Sequence, residues 1–251
     1  MLRLKCVAGI AALALLGACG AGSSGESVSS EPADYVLAAI ASPERSDEMR
    51  ARDAARKPAE ILALSGVAPG DRVIEIAGFG HYYTTMLSDI VGDGGEVHMF
   101  DLPYTADFVG DAPREFVASH PNTEYHLVDY NDAVFPSETD VVFNILYYHD
   151  LGPQQVDTAA MNAKLFDALK PGGRYLIVDH KAEDGSGWRD AGTIHRIGAE
   201  TIIEEVTAAG FELVVDSDLL ANPEDDRTAM VFAPGTRGAT DRAVLVFRKP
   251  G

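Results

Sequence analysis

Three histidines in the second half of the chain, two of them beside acidic residues, could do chemistry. His149 and Asp150 close the run Tyr147-Tyr148-His149-Asp150, Asp179 and His180 follow an apolar run, and His195 precedes Arg196. An imidazole titrates near neutral pH, so His149 is a candidate general base. Asp150 either orients it or caps a helix beginning near Pro153. Tyr148, His180 and His195 are candidate walls of a substrate pocket. Histidines with carboxylates also carry the donor types of a divalent-cation site, but no spacing such as His-x-x-x-His supports one, so no metal is expected. A second group lies earlier, in Glu75-Ile-Ala-Gly-Phe-Gly-His81, where Gly78 and Gly80 let the backbone approach a ligand closely. Asp101 follows 23 residues after Gly78. An acid at about that spacing accepts hydrogen bonds from both hydroxyls of a ribose.

These residues need elements to hold them. Arg72-Val-Ile-Glu-Ile-Ala77 is a β-branched run after a Pro-Gly turn and reads as a strand. Further strands are expected at 96–101, 124–127, 140–146, 175–179, 211–215 and 243–247. Helices are expected at 43–65, split at Pro58, and at 82–91, 110–119, 154–169 and 199–209. The helix of 154–169 stops at Lys170-Pro-Gly-Gly173. Strands alternating with helices predict an α/β fold, a mostly parallel sheet covered on both faces. In such a sheet ligands bind beyond the carboxyl ends of the strands, where Gly78, Gly80, Asp101, His149 and His180 all fall.

The chain resembles the class I S-adenosylmethionine-dependent methyltransferases from about Arg52 onward. The resemblance rests on Val73-Ile-Glu-Ile-Ala-Gly-Phe-Gly80, Asp101, the pair Asp129-Tyr130, Asp140, and Leu169-Lys-Pro-Gly-Gly-Arg174. The tail, with Phe232-Ala-Pro, Arg237-Gly, Thr240-Asp-Arg and Phe247-Arg-Lys-Pro250, looks like a bacterial subgroup of predicted methyltransferases. The resemblance implies a doubly wound, seven-stranded Rossmann-like sheet with the last strand antiparallel and helices on both faces. It implies S-adenosyl-L-methionine as cofactor, with Glu75, Gly78 and Gly80 at its methionine end, Asp101 at its ribose and Asp129 at its adenine amine. Many members carry glycines two, four and six residues after the acid; here those positions are Ala77, Phe79 and His81.

Composition and the N-terminus bound the rest. The 251 residues are 46% hydrophobic and 24% charged, an ordinary globular balance, with 20 basic and 39 acidic residues and a net charge of -19. No basic excess exists to neutralise phosphates, so nucleic acid is excluded as a partner. The two cysteines, Cys6 and Cys19, build no disulfide framework and no metal site. Arg3 and Lys5 precede an apolar run from Val7 to Leu16, the layout of a secretory signal peptide over residues 1–18. Leu16-Gly-Ala-Cys19 resembles the lipobox of bacterial lipoproteins, which implies acylation of Cys19. The expected organisation is therefore a signal peptide at 1–18, a lipidated Cys19 with a tether to residue 33, and one methyltransferase domain at 34–251. Such a protein is anchored in a bacterial cell envelope through its acyl chains.

Three functions compete at this stage. The first is methyl transfer from S-adenosylmethionine to a small molecule. The second is an envelope lipoprotein that binds a small ligand in the same crevice without catalysis. Metal-assisted hydrolysis by the histidines is the third.

Overall fold

The computed structural model describes residues 31–251; the expected signal peptide, Cys19 and residues 20–30 of the tether lie outside them. Seven strands form one sheet: β1 (Arg72–Ile76), β2 (Glu96–Asp101), β3 (Thr123–Leu127), β4 (Thr139–Ile145), β5 (Leu169–His180), β6 (Glu212–Ser217) and β7 (Arg242–Arg248). Their order is β3-β2-β1-β4-β5-β7-β6. The pairs from β3 through β5 are parallel, and β7 runs antiparallel between β5 and β6. The antiparallel last strand expected from the resemblance is therefore present.

Alternation along the strands builds two apolar layers. Ile74 and Ile76 face a layer with Phe100, Val142, Tyr175 and Ile177. Val73 faces the opposite layer with Val97, Val141, Phe143 and Leu176. Helices cover both faces, as a parallel sheet requires. Tyr82–Val91 packs on the second layer, while Thr158–Ala168 and Ala199–Ala208 pack on the first.

Three local differences from the sequence reading have physical causes. The segment before Ser65 is three short helices, Asp47–Arg50, Asp53–Arg56 and Pro58–Ser65. Pro58 begins the third, where its missing N–H costs nothing. Strand β5 begins at Leu169, so Lys170-Pro-Gly-Gly173 belongs to the strand and does not merely stop the preceding helix. A Cβ on Gly173 would lie 2.9 Å from the Lys170 carbonyl and 3.1 Å from that of Asp140, so glycine is needed at this close approach. The helix expected from 154 begins at Thr158, and its cap is Asp157, whose side chain accepts from the Ala160 N–H. Asp150 caps nothing there; it sits in a separate turn of helix, Tyr148–Leu151.

Asp140, part of the resemblance, lies at the sheet edge opposite the ligand side. It accepts from the Arg72 N–H at 2.9 Å and from Lys170 Nζ at 2.7 Å. Its part is to tie the amino ends of β1, β4 and β5 together.

Candidate functional site

The carboxyl ends of β1, β4 and β5 open onto a cavity of about 300 Å³. Its floor is the loop from Glu75 to His81. Ile145 to Tyr147, Asp150 and His180 form one wall, and Tyr82, Tyr83, Arg52 and Arg56 another. Phe232 and Arg237, from the long connection between β6 and β7, close over it. Arg196 holds this connection down. Fully buried, it forms a two-pronged ion pair with Asp225 at 2.8 and 3.0 Å and donates to the Lys181 and Ala229 carbonyls.

The backbone around this cavity is strained. Of the eight described non-glycine residues with positive φ, four border the site or its histidines: Ala77 (φ 59°), His81 (51°), Leu146 (58°) and His195 (58°). Such residues cost about 1–3 kcal/mol each and cluster at functional sites. Ala77 and His81 occupy glycine positions of the resembled loop and keep the left-handed backbone that glycine would adopt there. Ala77→Gly is expected to raise stability by ~0.5–1 kcal/mol, relief of the left-handed alanine being offset partly by a more disordered unfolded chain. Denaturant unfolding measures this; a loss of stability would contradict the strained loop.

The expected cofactor residues separate into two places. Glu75 borders the cavity, and its Oε2 accepts from the Thr84 hydroxyl at 2.6 Å. Burial pushes its carboxyl up to about 8, the Thr84 bond opposing and nearby Asp101 adding to the rise. A Cβ on Gly78 would meet Glu75 Oε2 at 3.1 Å, whereas one on Gly80 would meet nothing within 4 Å. Gly78 is therefore needed for packing, while Gly80 faces open space. Asp101 ends β2 fully buried outside the cavity, and neither of its carboxylate oxygens has a hydrogen-bond partner. Burial raises it to about 7; the Tyr125 hydroxyl and the Phe79 and Gly78 amides lie near enough to oppose that rise without closing a bond. Asp129 is exposed after β3, where its Oδ1 accepts from the Asn131 N–H at 2.9 Å. Tyr130 beside it is fully buried and donates to the Phe100 carbonyl.

Phe79 and His81, bulky in a loop of this kind, line the cavity floor and are each packed against another ring. Phe79 stands edge-on to Phe108 and Tyr147, at centroid distances of 5.4 and 6.4 Å. His81 stacks on Phe116 at 4.6 Å, and burial lowers its imidazole to about 4.

The three histidines converge. The rings of His149 and His180 are 5.7 Å apart, and those of His149 and His195 are 5.4 Å apart. Adjacent parallel strands β4 and β5 deliver the first two to one sheet edge. Asp179 organises them. Its Oδ1 accepts from His149 Nδ1 at 2.6 Å and from the His180 N–H at 2.7 Å, and its Oδ2 accepts from the His149 N–H at 2.8 Å. Burial alone would lower His149, but the Asp179 carboxylate outweighs it and holds the imidazole above its ordinary range. Burial would likewise raise Asp179, but His149 keeps it below the usual carboxylate range. His180 is lowered to about 3 by burial; its Nδ1 bonds the Thr240 hydroxyl at 2.7 Å.

Neither His149 nor His195, the latter expected at the pocket wall, borders the cavity; Asp150 does. His149 Nε2 is buried without a hydrogen-bond partner, 3.4 Å from Asp150 Oδ1, and that oxygen accepts from His195 Nδ1 at 3.0 Å. Tyr148, expected at the pocket, is fully buried elsewhere: its hydroxyl donates to Glu205 and accepts from Asn162, and its ring stacks on Trp188. Its neighbour Tyr147 faces the cavity and shares a 2.9 Å hydroxyl bond with Tyr104. Sequence reasoning also missed Arg52, Arg56 and Arg237. None of these arginines forms an ion pair with another described residue, although acids outnumber bases by 39 to 20. Arg52 and Arg56 instead lie over the Tyr82 ring. No local pattern in the sequence marks these arginines, because their place at the cavity depends on segments brought together by the fold.

No protein-family profile matches the chain. Among curated proteins it is similar to the ubiquinone/menaquinone biosynthesis C-methyltransferase UbiE of Teredinibacter turnerae, 32% identical over 126 residues, 50% of this chain and 49% of the relative. The chain spans about half or less of the length of the curated relatives it matches. Among solved structures it resembles a SAM dependent methyltransferase from Aquifex aeolicus, with a TM-score of 0.55 and 16% identity over 76% of this chain and 88% of that one. It also resembles Aeropyrum pernix fibrillarin in complex with natively bound S-adenosyl-L-methionine, with a TM-score of 0.51 and 17% identity over 78% of this chain and 76% of that one. The first two are methyltransferases by name, and at such identities the structural likeness establishes the fold: a seven-stranded Rossmann-like methyltransferase sheet with its last strand antiparallel.

Proposed function

We propose that the protein is an S-adenosylmethionine-dependent methyltransferase acting on a small molecule. The observation that carries this reading is Asp101. Two buried carboxylate oxygens without partners, at the end of β2 and behind the Gly78 loop that floors the cavity, are the acceptor pair that the two hydroxyls of a ribose would satisfy once that loop admits it. Bound there, S-adenosylmethionine supplies an electrophilic methyl group on a sulfonium. Glu75, its carboxyl raised to about 8 by burial, offers a second ionisable acid at the same loop, and Asp129 follows the end of β3 for the adenine amine. Methyl transfer asks chiefly for alignment of nucleophile and methyl group, with a base where the nucleophile carries a proton. Asp150, on the cavity wall, is placed to take that proton, and His149 stands behind it, oriented by Asp179. His180 and Tyr147 shape the acceptor side, with His195 beyond Asp150. Arg52, Arg56 and Arg237 suit an anionic group on a bound molecule.

Titration calorimetry of the purified protein with S-adenosylmethionine tests this reading. Saturable binding is expected; no heat at millimolar cofactor would leave a ligand-binding lipoprotein without catalysis as the better description.

The same proposal places the protein in a bacterial cell envelope, anchored through acyl chains on Cys19. The residues supporting this are Arg3, Lys5, the apolar run Val7 to Leu16 and Leu16-Gly-Ala-Cys19. Each buried CH₂ of an acyl chain contributes about 0.8 kcal/mol, so several chains hold a protein stably. Among the described residues no helix is long and apolar enough to cross a membrane. Cys19→Ala is expected to move the protein from the membrane fraction to the soluble fraction. Unchanged fractionation, with no acyl mass on wild-type Cys19, would refute the anchor.

A further inference from the structure

His149, Asp150 and His195 each offer a ligand atom, and these atoms lie within 4.8 Å of one another. Two of the separations are shorter: Asp150 Oδ1 is 3.4 Å from His149 Nε2 and 3.0 Å from His195 Nδ1. Tetrahedral bonds of about 2.0–2.1 Å to nitrogen or oxygen set ligand atoms about 3.3–3.4 Å apart, so small side-chain adjustments suffice to bring all three onto one ion.

Independent features of His149 point to an ion. Its Nε2 is buried without a hydrogen-bond partner and faces the other two side chains, an arrangement native interiors rarely leave unexplained. Its Nδ1 is committed to Asp179, which is itself held by the His149 and His180 amides. A histidine whose one nitrogen binds a buried carboxylate and whose other nitrogen faces a second carboxylate without a hydrogen bond has the arrangement of metal-bound imidazoles, in which the first carboxylate fixes ring orientation and tautomer. His195 completes the set from a left-handed backbone at the end of the helix Ala191–Ile194, and the Phe232 ring, 5.1 Å away, packs against it.

We propose that His149, Asp150 and His195 bind one divalent transition-metal ion of the zinc class. Two imidazoles and one carboxylate favour such an ion over calcium or magnesium, which prefer all-oxygen sites. Three protein ligands leave a coordination position free. Because Asp150 also lines the cavity, that position lies next to the proposed acceptor site. Resting on the methyl-transfer reading, the favoured acceptor is then a molecule that presents an oxygen to the ion. The ion lowers the pKa of that oxygen, and the second carboxylate oxygen of Asp150 remains available for its proton. The metal site itself stands on ligand geometry and does not depend on methyl transfer.

The test is metal binding to the whole protein, stripped with a chelator and titrated with Zn²⁺ by calorimetry and with Co²⁺ by visible absorption. One equivalent of Zn²⁺ is expected to bind and raise the melting temperature. Co²⁺ should give the absorption of a site containing nitrogen ligands, and Mg²⁺ should not compete. His195→Asn and Asp150→Asn, both at partly exposed positions, should each weaken Zn²⁺ binding ~100-fold or more while preserving the fold by circular dichroism. His126→Asn serves as control, because His98, Glu124 and His126 form another group with suitable spacing, on β2 and β3. It should leave the high-affinity site unchanged. Absence of a stoichiometric high-affinity site, binding that survives both ligand substitutions, or loss with His126→Asn instead would overturn the proposal. Cofactor titration of the same stripped protein separates this failure from failure of the methyltransferase reading.

Discussion

Asp101→Ala is expected to weaken S-adenosylmethionine binding ~100-fold or more, with no loss of thermal stability. Hydrogen bonds to a charged acceptor contribute about 1.5–3 kcal/mol each, and two ribose hydroxyls make two of them. The unliganded fold loses nothing comparable, because neither carboxylate oxygen has a protein partner. Calorimetric affinity and a melting curve together check both halves; an unchanged affinity would remove Asp101 from the cofactor site. The same residue predicts a pH dependence. The ribose hydroxyls and the positive sulfonium favour ionised Asp101, whose carboxyl is raised to about 7. Binding must therefore release a proton near neutrality, and affinity falls as pH drops through that value. From Asp101 alone, affinity at pH 6 should be about tenfold lower than at pH 8. Glu75, raised to about 8, should add to the effect where its charge also favours the cofactor. Calorimetry in buffers of different ionisation enthalpy measures the released proton.

The second large effect is expected at His149. Its side chain and that of Asp179 are almost wholly buried against each other, with exposures of 2% and 0%. Breaking a buried pair by removing one member costs about 3–5 kcal/mol, because the remaining charge has lost its partner. His149→Ala should therefore lower the melting temperature by roughly 6–20 °C for a domain of this size. Removing the proton-handling group behind Asp150 should also lower methyl-transfer turnover ~10²–10⁴-fold, with cofactor affinity nearly unchanged. The double variant His149→Ala/Asp179→Asn separates the two effects. It removes the stranded charge, so it should recover part of the stability and none of the turnover. Recovery of both would reduce His149 to a structural role.

Most of the strands were legible because each centres on an apolar run between turn residues, and such a run is buried in a covered sheet whatever its neighbours are; β3, Thr-Glu-Tyr-His-Leu at the sheet edge, is mostly half-buried and carries the weakest pattern. The convergence of His149 and His180 was legible for a related reason. Adjacent parallel strands bring their carboxyl ends to one edge, so two residues far apart in the chain were placed together before their contacts were known. Lys170-Pro-Gly-Gly173 reads locally as the end of a helix, since glycine and proline mark a break in any local pattern. Its pairing beside Asp140 and Lys249 depends on strands distant in sequence.

Side-chain direction at the site was not legible. Tyr147 and Tyr148 are the same residue type in adjacent positions, yet one faces the cavity and the other is locked between Glu205, Asn162 and Trp188. The turn of helix at Tyr148–Leu151 decides this, by rotating consecutive side chains about 100° apart. The same rotation turns Asp150 toward the cavity and His149 toward Asp179. The arginines at the cavity come from the first helices and from the connection after β6, segments with no local pattern to mark them as walls. The sequence by itself determined an acidic α/β chain, its strands, and which residues reach the ligand-binding edge of the sheet. Only the tertiary structure decided which of those residues face the cavity, which neutralise one another, and which are left without a partner, because burial and pairing depend on groups that distant segments bring together.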